Sequence, residues 1–265
     1  MWIDTHCHLD AHEFGGESPD VASHAGRNGV RWIVIPAVAR DNFSVVADLA
    51  RNQSNCAYAL GIHPIFVPQA EESDLADLRE LVEASLADPK FVAIGEIGLD
   101  FFVPVLRENP LKEKQEFFYS EQLKIARDYD LPVLLHVRRS QDLVLKYLRR
   151  IRAPGGIAHA FNGSFQQAHT FIDLGFKLGF GGAMTFPRAL QIRRLATEIP
   201  LEHIVLETDA PDISPVWLHP QRNSPAELPR IGAALAELRA MPVEQIARST
   251  FSNACAAIPR LASIS

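Results

Sequence analysis

Short apolar, β-branched runs alternate with longer amphipathic stretches along the whole chain, and that alternation limits the folds open to it more than any other feature. The strand-like runs fall at 2–5, 32–37, 57–62, 91–95, 132–137, 156–161, 176–180 and 204–208. Helical patterns follow them near 19–28, 42–51, 74–87, 111–129, 140–150, 165–174, 188–198 and 225–239, with a last helical segment from Val243. A strand that is always followed by a helix returns in the same direction each time, so the pattern predicts a parallel sheet covered by helices. Eight such units in a 265-residue chain match the size of a closed (β/α)8 TIM barrel. An open doubly wound sheet would gather its ligand groups at one switch point; here polar residues stand at the ends of many strands. No Gly/Ser tract or composition break divides the chain, so a single barrel domain over 1–265 is expected. Ser18-Pro19, Asp41, Ser164 and Ser224-Pro225 offer helix caps at the proposed starts.

Composition narrows the function classes. The chain is 47% hydrophobic and 22% charged, as in ordinary globular proteins, and no apolar run nears the roughly 18 residues of a membrane span. Cys7, Cys56 and Cys255 are too few and too scattered for a disulfide framework. With no basic-then-apolar segment at its start, the sequence predicts a soluble protein of the reducing cytoplasm, with no membrane partner. A net charge of −6 argues against gripping long nucleic acid over a broad basic face. Local basic groups occur at Arg138-Arg139, Arg149-Arg150-Arg152 and Arg188-Arg193-Arg194. They read as solvated helix surface, except Arg138, which directly follows a strand rich in candidate ligands.

Chemistry-bearing residues cluster at the C-terminal ends of the strands. His6 and His8 end the first, His63 follows the third, Glu96 ends the fourth, His136 the fifth, His159 the sixth, and Glu207 with Asp209 the eighth. In a barrel those ends converge on one mouth. Strand periodicity turns His6 and His8 to the same side and Cys7 to the other; Glu207 and Asp209 share a side if their strand continues that far. Imidazoles among carboxylates form a mixed N/O donor set that suits Zn²⁺ or Mn²⁺, with Mg²⁺ at an oxygen-richer position. A lone histidine is more often a satisfied polar residue than a ligand, which is the assignment for His12, His24, His169, His203 and His219; Asp100 and Asp212 read as caps. What outweighs the dull explanation for the others is their concurrence at one end of one barrel.

The segments IDTHCHLD (3–10), ALGIHP (59–64), VAIGEIGLDF (92–101), LPVLLHVRR (131–139), HAFNGS (159–164), GGAMTFPRA (181–189) and LETDAPDISP (206–215) resemble the TatD family of metal-dependent deoxyribonucleases, within the amidohydrolase-type barrels. The resemblance implies hydrolysis of DNA phosphodiester bonds with divalent metals, the DNA being taken at ends or as short single strands. It implies that His6, His8, Glu96 and Asp209 hold one metal, that Glu96, His136 and His159 hold a second, and that Glu96 bridges them. His63 and Arg138 then lie where a phosphate binds, and Glu207 supports the ligands or contributes to a further metal. One stretch departs from the family: where an Arg-Gly-x-Arg-Asn-Glu-Pro loop is common, this chain reads His219-Pro-Gln-Arg-Asn-Ser-Pro225.

The expected mechanism follows from charge. Two divalent ions sharing Glu96 would bring a bridging water from a pKa of about 15.7 toward 7, and Asp209 would orient the resulting hydroxide and take its proton. His63 or Arg138 would stabilise charge building on the phosphoryl oxygens. The rival within the same chemistry is a hydrolase of amide or ester bonds, such as a D-aminoacyl-tRNA deacylase; a non-catalytic barrel would have no need of a full ligand set.

Overall fold

In a computed structural model that describes residues 1–264, all eight runs form strands, in the order β1 (Trp2–Asp4), β2 (Val30–Pro36), β3 (Cys56–Leu60), β4 (Phe91–Asp100), β5 (Val133–Arg138), β6 (Gly156–Ala158), β7 (Phe176–Phe180) and β8 (Ile204–Leu206). Each pairs in parallel with the next, so sheet order equals chain order. The helices between and after them are α1 (Ser18–Arg27), α2 (Phe43–Asn52), α3 (Glu72–Ser85), α4 (Leu111–Asp128), α5 (Gln141–Ile151), α6 (Phe165–Asp173), α7 (Leu190–Glu198), α8 (Leu228–Arg239) and α9 (Val243–Ala257). The result is the nearly closed TIM barrel expected from the alternation.

The barrel closes through a polar seam. Past the last regular pair, Thr5 N donates to Leu206 O at 3.2 Å and Asp209 N to His6 O at 2.8 Å, tying β8 to β1. Behind these bonds the fully buried Asp4 carboxylate accepts from Thr208 N (2.9 Å), His6 N (3.3 Å) and the Thr208 hydroxyl (2.5 Å). Burial pushes the Asp4 carboxyl up to about 8, against the opposing pull of the Thr208 and His6 donors.

Strand periodicity divides the core in two. Trp32 and Val34 join Ile3, Ala57, Ala59, Leu134, Ile157 and Val205 in the barrel interior, whereas Ile33 and Ile35 belong to the larger layer beneath the helices. The interior is plugged by Ala254, Ala257, Ile258 and Leu261 from α9 and the turn after it. That plug is pinned at the N-terminal strand ends, where Asn253 donates to Ile204 O and Arg260 to Asp88 O. The opposite mouth is left open.

At β4 the sheet departs from regularity. Ile94 pairs with Val133 and Ile97 with Leu135, so β4 carries one residue more than its neighbour, a bulge of the kind that re-aims a side chain. Glu96 N then reaches past β3 to donate to Ala37 O at 2.9 Å. Gly61 permits this close approach, because a Cβ there would stand 2.8 Å from the Gly95 carbonyl carbon. Gly98, at φ +154°, is equally constrained, since an added Cβ would lie 1.9 Å from His136 O. Glu96 therefore does not end its strand, as the glycines around it suggest, but sits inside it, displaced toward the barrel axis.

Other boundaries also moved. β6 stops at Ala158 and β8 at Leu206, so His159, Glu207 and Asp209 stand on the turns just beyond. Ser164 caps α6 by accepting from Gln167 N, and Ser224 caps the short turn that leads into α8. Ser18 does not act as a cap: it is the first residue of α1 and its hydroxyl donates to Leu9 O at 2.7 Å. Asp41 is exposed and α2 starts without a side-chain cap, Asn42 instead holding the turn before it through Oδ1, which accepts from Val38 N and Ala39 N.

The seam yields a stability test. Asp4→Ala would leave two buried N–H groups and the Thr208 hydroxyl without their acceptor, which costs about 2–4 kcal/mol. Asp4→Asn keeps an acceptor for the backbone donors and should lose clearly less. Urea unfolding of both metal-free variants beside the native chain measures the difference.

Candidate metal centre

Eight of the nine residues singled out from the sequence line one cavity of about 860 Å³ at the open mouth, namely His8, His63, Glu96, His136, Arg138, His159, Glu207 and Asp209. The ninth, His6, is fully buried against Glu96 at the cavity floor. His6 and His8 follow β1, His63 follows β3, and His136 stands near the end of β5, so the convergence comes from barrel closure rather than from nearness in sequence.

Glu96 is the hub. Its Oε2 lies 3.2 Å from His6 Nε2 and 3.4 Å from His8 Nε2. Its Oε1 lies 2.9 Å from His136 Nδ1, 3.5 Å from His63 Nε2 and 3.6 Å from His159 Nε2. Asp209 Oδ1 is 3.7 Å from His6 Nε2, 3.8 Å from His8 Nε2 and 4.0 Å from His159 Nε2. Three donor groups could each hold a cation: His6, His8 and Asp209; His6, Glu96 and His159; and His63, Glu96 and His136. Two oxygens of one carboxylate thus face different histidine sets, and the nitrogen and oxygen donors suit Zn²⁺ or Mn²⁺.

Hydrogen-bond partners sort the histidines by tautomer. His136 Nε2 donates to Asp100 Oδ2 at 3.0 Å, and its Nδ1 donates to Glu96 Oε1 at 2.9 Å in the metal-free protein, so Nδ1 is the atom that would give up its proton to serve as a ligand. His159 Nδ1 stands 3.2 Å from Glu207 Oε1, with Nε2 turned inward. His63 is the reverse case. Its Nδ1 accepts from Ile65 N at 3.1 Å, which puts the proton on Nε2, the atom facing the cavity. Burial, working against the pull of the Glu96 charge, lowers the His63 pKa to about 4, so the ring is neutral and offers an N–H rather than a lone pair. His63 is therefore built as a donor, although its position beside Glu96 and His136 would pass for that of a ligand.

Two supporting residues deserve naming for what they hold. Asp100, assigned from the sequence to capping the next helix, instead holds the turn that leaves β4, its Oδ1 accepting from Phe102 N and Val103 N, while Val103 takes the N-cap position of the helical turn that follows. The other Asp100 oxygen fixes His136, the carboxylate–histidine pairing that orients metal ligands. The signal was its spacing four residues after Glu96 on one strand, obscured by the bulge. Glu207 accepts from Ala160 N and stands beside His159; Gly179 makes room for it, since a Cβ there would stand 2.2 Å from Glu207 Oε2. Glu207 and Asp209 do not sit on a continuing strand: Asp209 adopts φ +55°, and Asn223 holds the turn between them by donating to Thr208 O at 2.8 Å. Arg222, in the loop that departs from the family pattern, donates to Glu13 O and Glu17 Oε2, joining that loop to the one after β1. His12, His24, His169, His203 and His219 stay outside all three donor groups, and Asp212 is exposed on the rim.

The electrostatics follow from burial. Burial disfavours the Glu96 anion, yet His63, His6 and His136 hold its carboxyl well below the usual range. Removing Glu96 would strip five imidazoles of their shared anion, so Glu96→Ala does not relieve carboxylate repulsion in the metal-free protein. Burial also opposes charge on His8, but Glu96 and Asp209 outweigh it and raise the ring to about 9. His159 rises to about 10 for the same reason, with Asp209 and Glu207 as its partners. Asp209 is pushed up to about 6 by burial, with His159 and His8 pulling the other way.

Comparison with known proteins places these features in context. The family model described as TatD related DNase matches residues 3–259. Over 253 residues the chain is 41% identical to YjjV of Escherichia coli K12, an uncharacterized metal-dependent hydrolase, covering 95% of each chain. It is 32% identical over 256 residues to the metal-dependent hydrolase YabD of Bacillus subtilis, covering 96% of this chain and 97% of that one. The crystal structure of E. coli YjjV, a TatD homolog, superposes with a TM-score of 0.91 at 40% identity, over 97% of this chain and 98% of that one. A TatD family hydrolase of Entamoeba histolytica shares the fold, with a TM-score of 0.83 at 21% identity over 97% of both chains.

The raised histidines give a pH prediction. A histidine whose folded pKa exceeds its ordinary 6.5 stabilises the fold fully below 6.5 and loses that contribution as pH rises through the folded value, here about 9 for His8 and about 10 for His159. The melting temperature of the metal-free protein should fall between pH 7 and 10. Metal must displace the same protons, so its apparent affinity should rise over that window. Calorimetric titration of Zn²⁺ or Mn²⁺ in buffers of different ionisation enthalpy reads the protons released; a titration with no proton release would contradict the assignment.

Proposed function

Since the chain belongs to the family of TatD related DNases and is a metal-dependent hydrolase, we propose that it hydrolyses DNA phosphodiester bonds with two divalent ions, as a deoxyribonuclease of the reducing cytoplasm. The observation that supports this most directly is the orientation of Glu96, whose two oxygens face separate histidine sets. His6, His8 and Asp209 would hold one ion, His136 and His159 the other, and Glu96 both. When bound, the ions supply Lewis acidity toward a phosphoryl oxygen and acidify water toward neutrality.

The chain's own residues do the rest. Asp209 stands on the cavity side of the cluster, 14% exposed, and its carboxylate, raised to about 6 by burial, takes the proton of the attacking water and directs its lone pair. A base with that pKa is matched to work near neutral pH. The neutral His63 donates its Nε2–H to a phosphoryl oxygen as charge accumulates there. Arg138, at the end of β5 and exposed on the rim, adds a fixed positive charge for the same phosphate. Asp100 and Glu207 keep the His136 and His159 lone pairs turned inward. Ile65, Phe66, Phe102 and Ile213 form an exposed apolar rim around this polar floor and offer faces on which unstacked bases can rest.

End-labelled single- and double-stranded DNA, incubated under Mg²⁺, Mn²⁺ and Zn²⁺ with products resolved by length, tests the activity; aminoacyl-tRNA and small esters run in parallel test the carbonyl rival. Asp209→Asn keeps an oxygen donor but removes the base, so kcat should fall by about 10²–10⁴-fold while the oligonucleotide still binds. Native turnover in this variant with full metal content would remove Asp209 from the chemical step.

A further inference from the structure

The mouth of the barrel is electrically lopsided. Around the rim of the main cavity, the side formed by the turns after β1 and β8 carries Asp10, Glu13 and Asp212, whereas the side formed after β5 carries Arg138 and Arg139. Next to that basic side lies a second, smaller cavity of about 390 Å³, lined by Phe101, Arg107, Lys112 and Arg139 with no carboxylate among them. Arg139 lines both cavities and so forms the wall between them.

Three features describe how these side chains are presented. Among the described residues, Arg107, Arg138 and Arg139 make no ion pair, as is true of most arginines of the chain, so their charge is free to meet an anion. Arg138 and Arg139 are gathered on one support, their guanidinium carbons 3.8 and 4.8 Å from the ring of Phe102, which is 44% exposed. Arg139 takes a left-handed backbone, φ +57°, which turns it away from the course of β5. Lys112, held 3.6 Å from Glu116, stands in the first turn of α4, where the free backbone N–H groups add to the positive potential. Arg107 and Arg139 share one cavity without an ion pair and Lys112 has Glu116 alone; like charges so gathered repel, and an anion from outside would relieve that repulsion.

The geometry points to a second phosphate subsite, formed by Arg107, Arg139 and Lys112, that binds the phosphate next to the one being hydrolysed and leads the polyanion out across the β4–β5 side of the mouth. This rests on the nuclease function above, because it takes a substrate with more than one phosphate. The acidic side of the rim repels the same chain, so the substrate leaves the metal centre in one direction only. The guanidinium groups suit a phosphate by paired N–H donors, and the ring of Phe102 supports that of Arg139.

The test uses the full chain loaded with Mn²⁺, the double variant Arg107→Ala/Arg139→Ala, and two probes. A fluorescein-labelled phosphorothioate oligothymidylate of five nucleotides reads binding by anisotropy, and thymidine 5′-(p-nitrophenyl phosphate), which has a single phosphate, reads the metal centre alone. We expect the variant to bind the oligothymidylate roughly tenfold more weakly at low salt. The slope of log affinity against log salt should shrink by about 0.7, the value for one lost phosphate on a single strand. Cleavage of the one-phosphate diester should stay within about twofold of native, since Arg107 lies outside the main cavity and Arg139 stands at the wall between the two. Equal affinity and slope in the variant overturn the subsite, and so does an equal loss on the one-phosphate probe. Arginine-dependent binding by a native chain that cleaves neither the one-phosphate diester nor an unmodified oligothymidylate would sustain the subsite and end the nuclease reading instead.

Discussion

One buried carboxylate governs the arrangement of this mouth. Glu96, 1% exposed, would be costly to ionise in the barrel interior without partners, and five imidazoles within 3.6 Å supply them. The position of that carboxylate is in turn a backbone achievement. The extra residue in β4 and the absence of side chains at Gly61 and Gly98 let the strand lean inward until Glu96 reaches the axis. With a regular β4 the histidines would still ring the mouth, but each would lack the shared anion that turns its nitrogen toward the centre.

How much of this was open to inspection from sequence depended on whether a residue acts through periodicity or through a partner far away. The eight strands and the convergence of His6, His8, Glu96, His136, His159 and Asp209 follow from period-two alternation and barrel closure, so they could be read directly. The position of Glu96 within its strand could not, because glycine on both sides looks like a strand end, and only the packing of Gly61 against Gly95 explains it. Asp100 looked like a helix cap because of its place at a strand end; one oxygen holds the turn after β4 and the other serves His136, a strand away, and no local pattern announces that. Asp41 caps nothing, and Asn42 beside it serves the preceding turn, its carboxamide oxygen reaching two backbone N–H groups at once while its amide reaches Asp10. His63 shows the limit most clearly: sequence placed it near the site, but whether it gives a proton or a lone pair is decided by a single bond from Ile65 N.

On the proposed nuclease function, the same logic allows an acidic protein to accommodate a polyanion. Net charge describes the field far from the surface, whereas a phosphate within the mouth responds to groups inside about one Debye length, some 8–10 Å. There the ligand carboxylates are compensated by histidines and by any bound cation, and the uncompensated charges are the arginines of the β4–β5 side. A global balance of −6 and a locally attractive entrance are therefore compatible, and the wide basic face looked for in nucleic-acid-binding proteins is unnecessary where the contact spans only a few phosphates.

The seam between β1 and β8 also sets a schedule. Asp4 and Thr208 meet across 204 positions of chain, and the same closure brings Asp209 to His6 and His8. During synthesis His6 and His8 emerge long before Asp209, the partner that closure brings to them. On the proposed ligand assignment the pair would until then have no carboxylate from the far side of the barrel. The centre would be complete only once β8 has met β1, so closure of the barrel would act as the gate on metal loading.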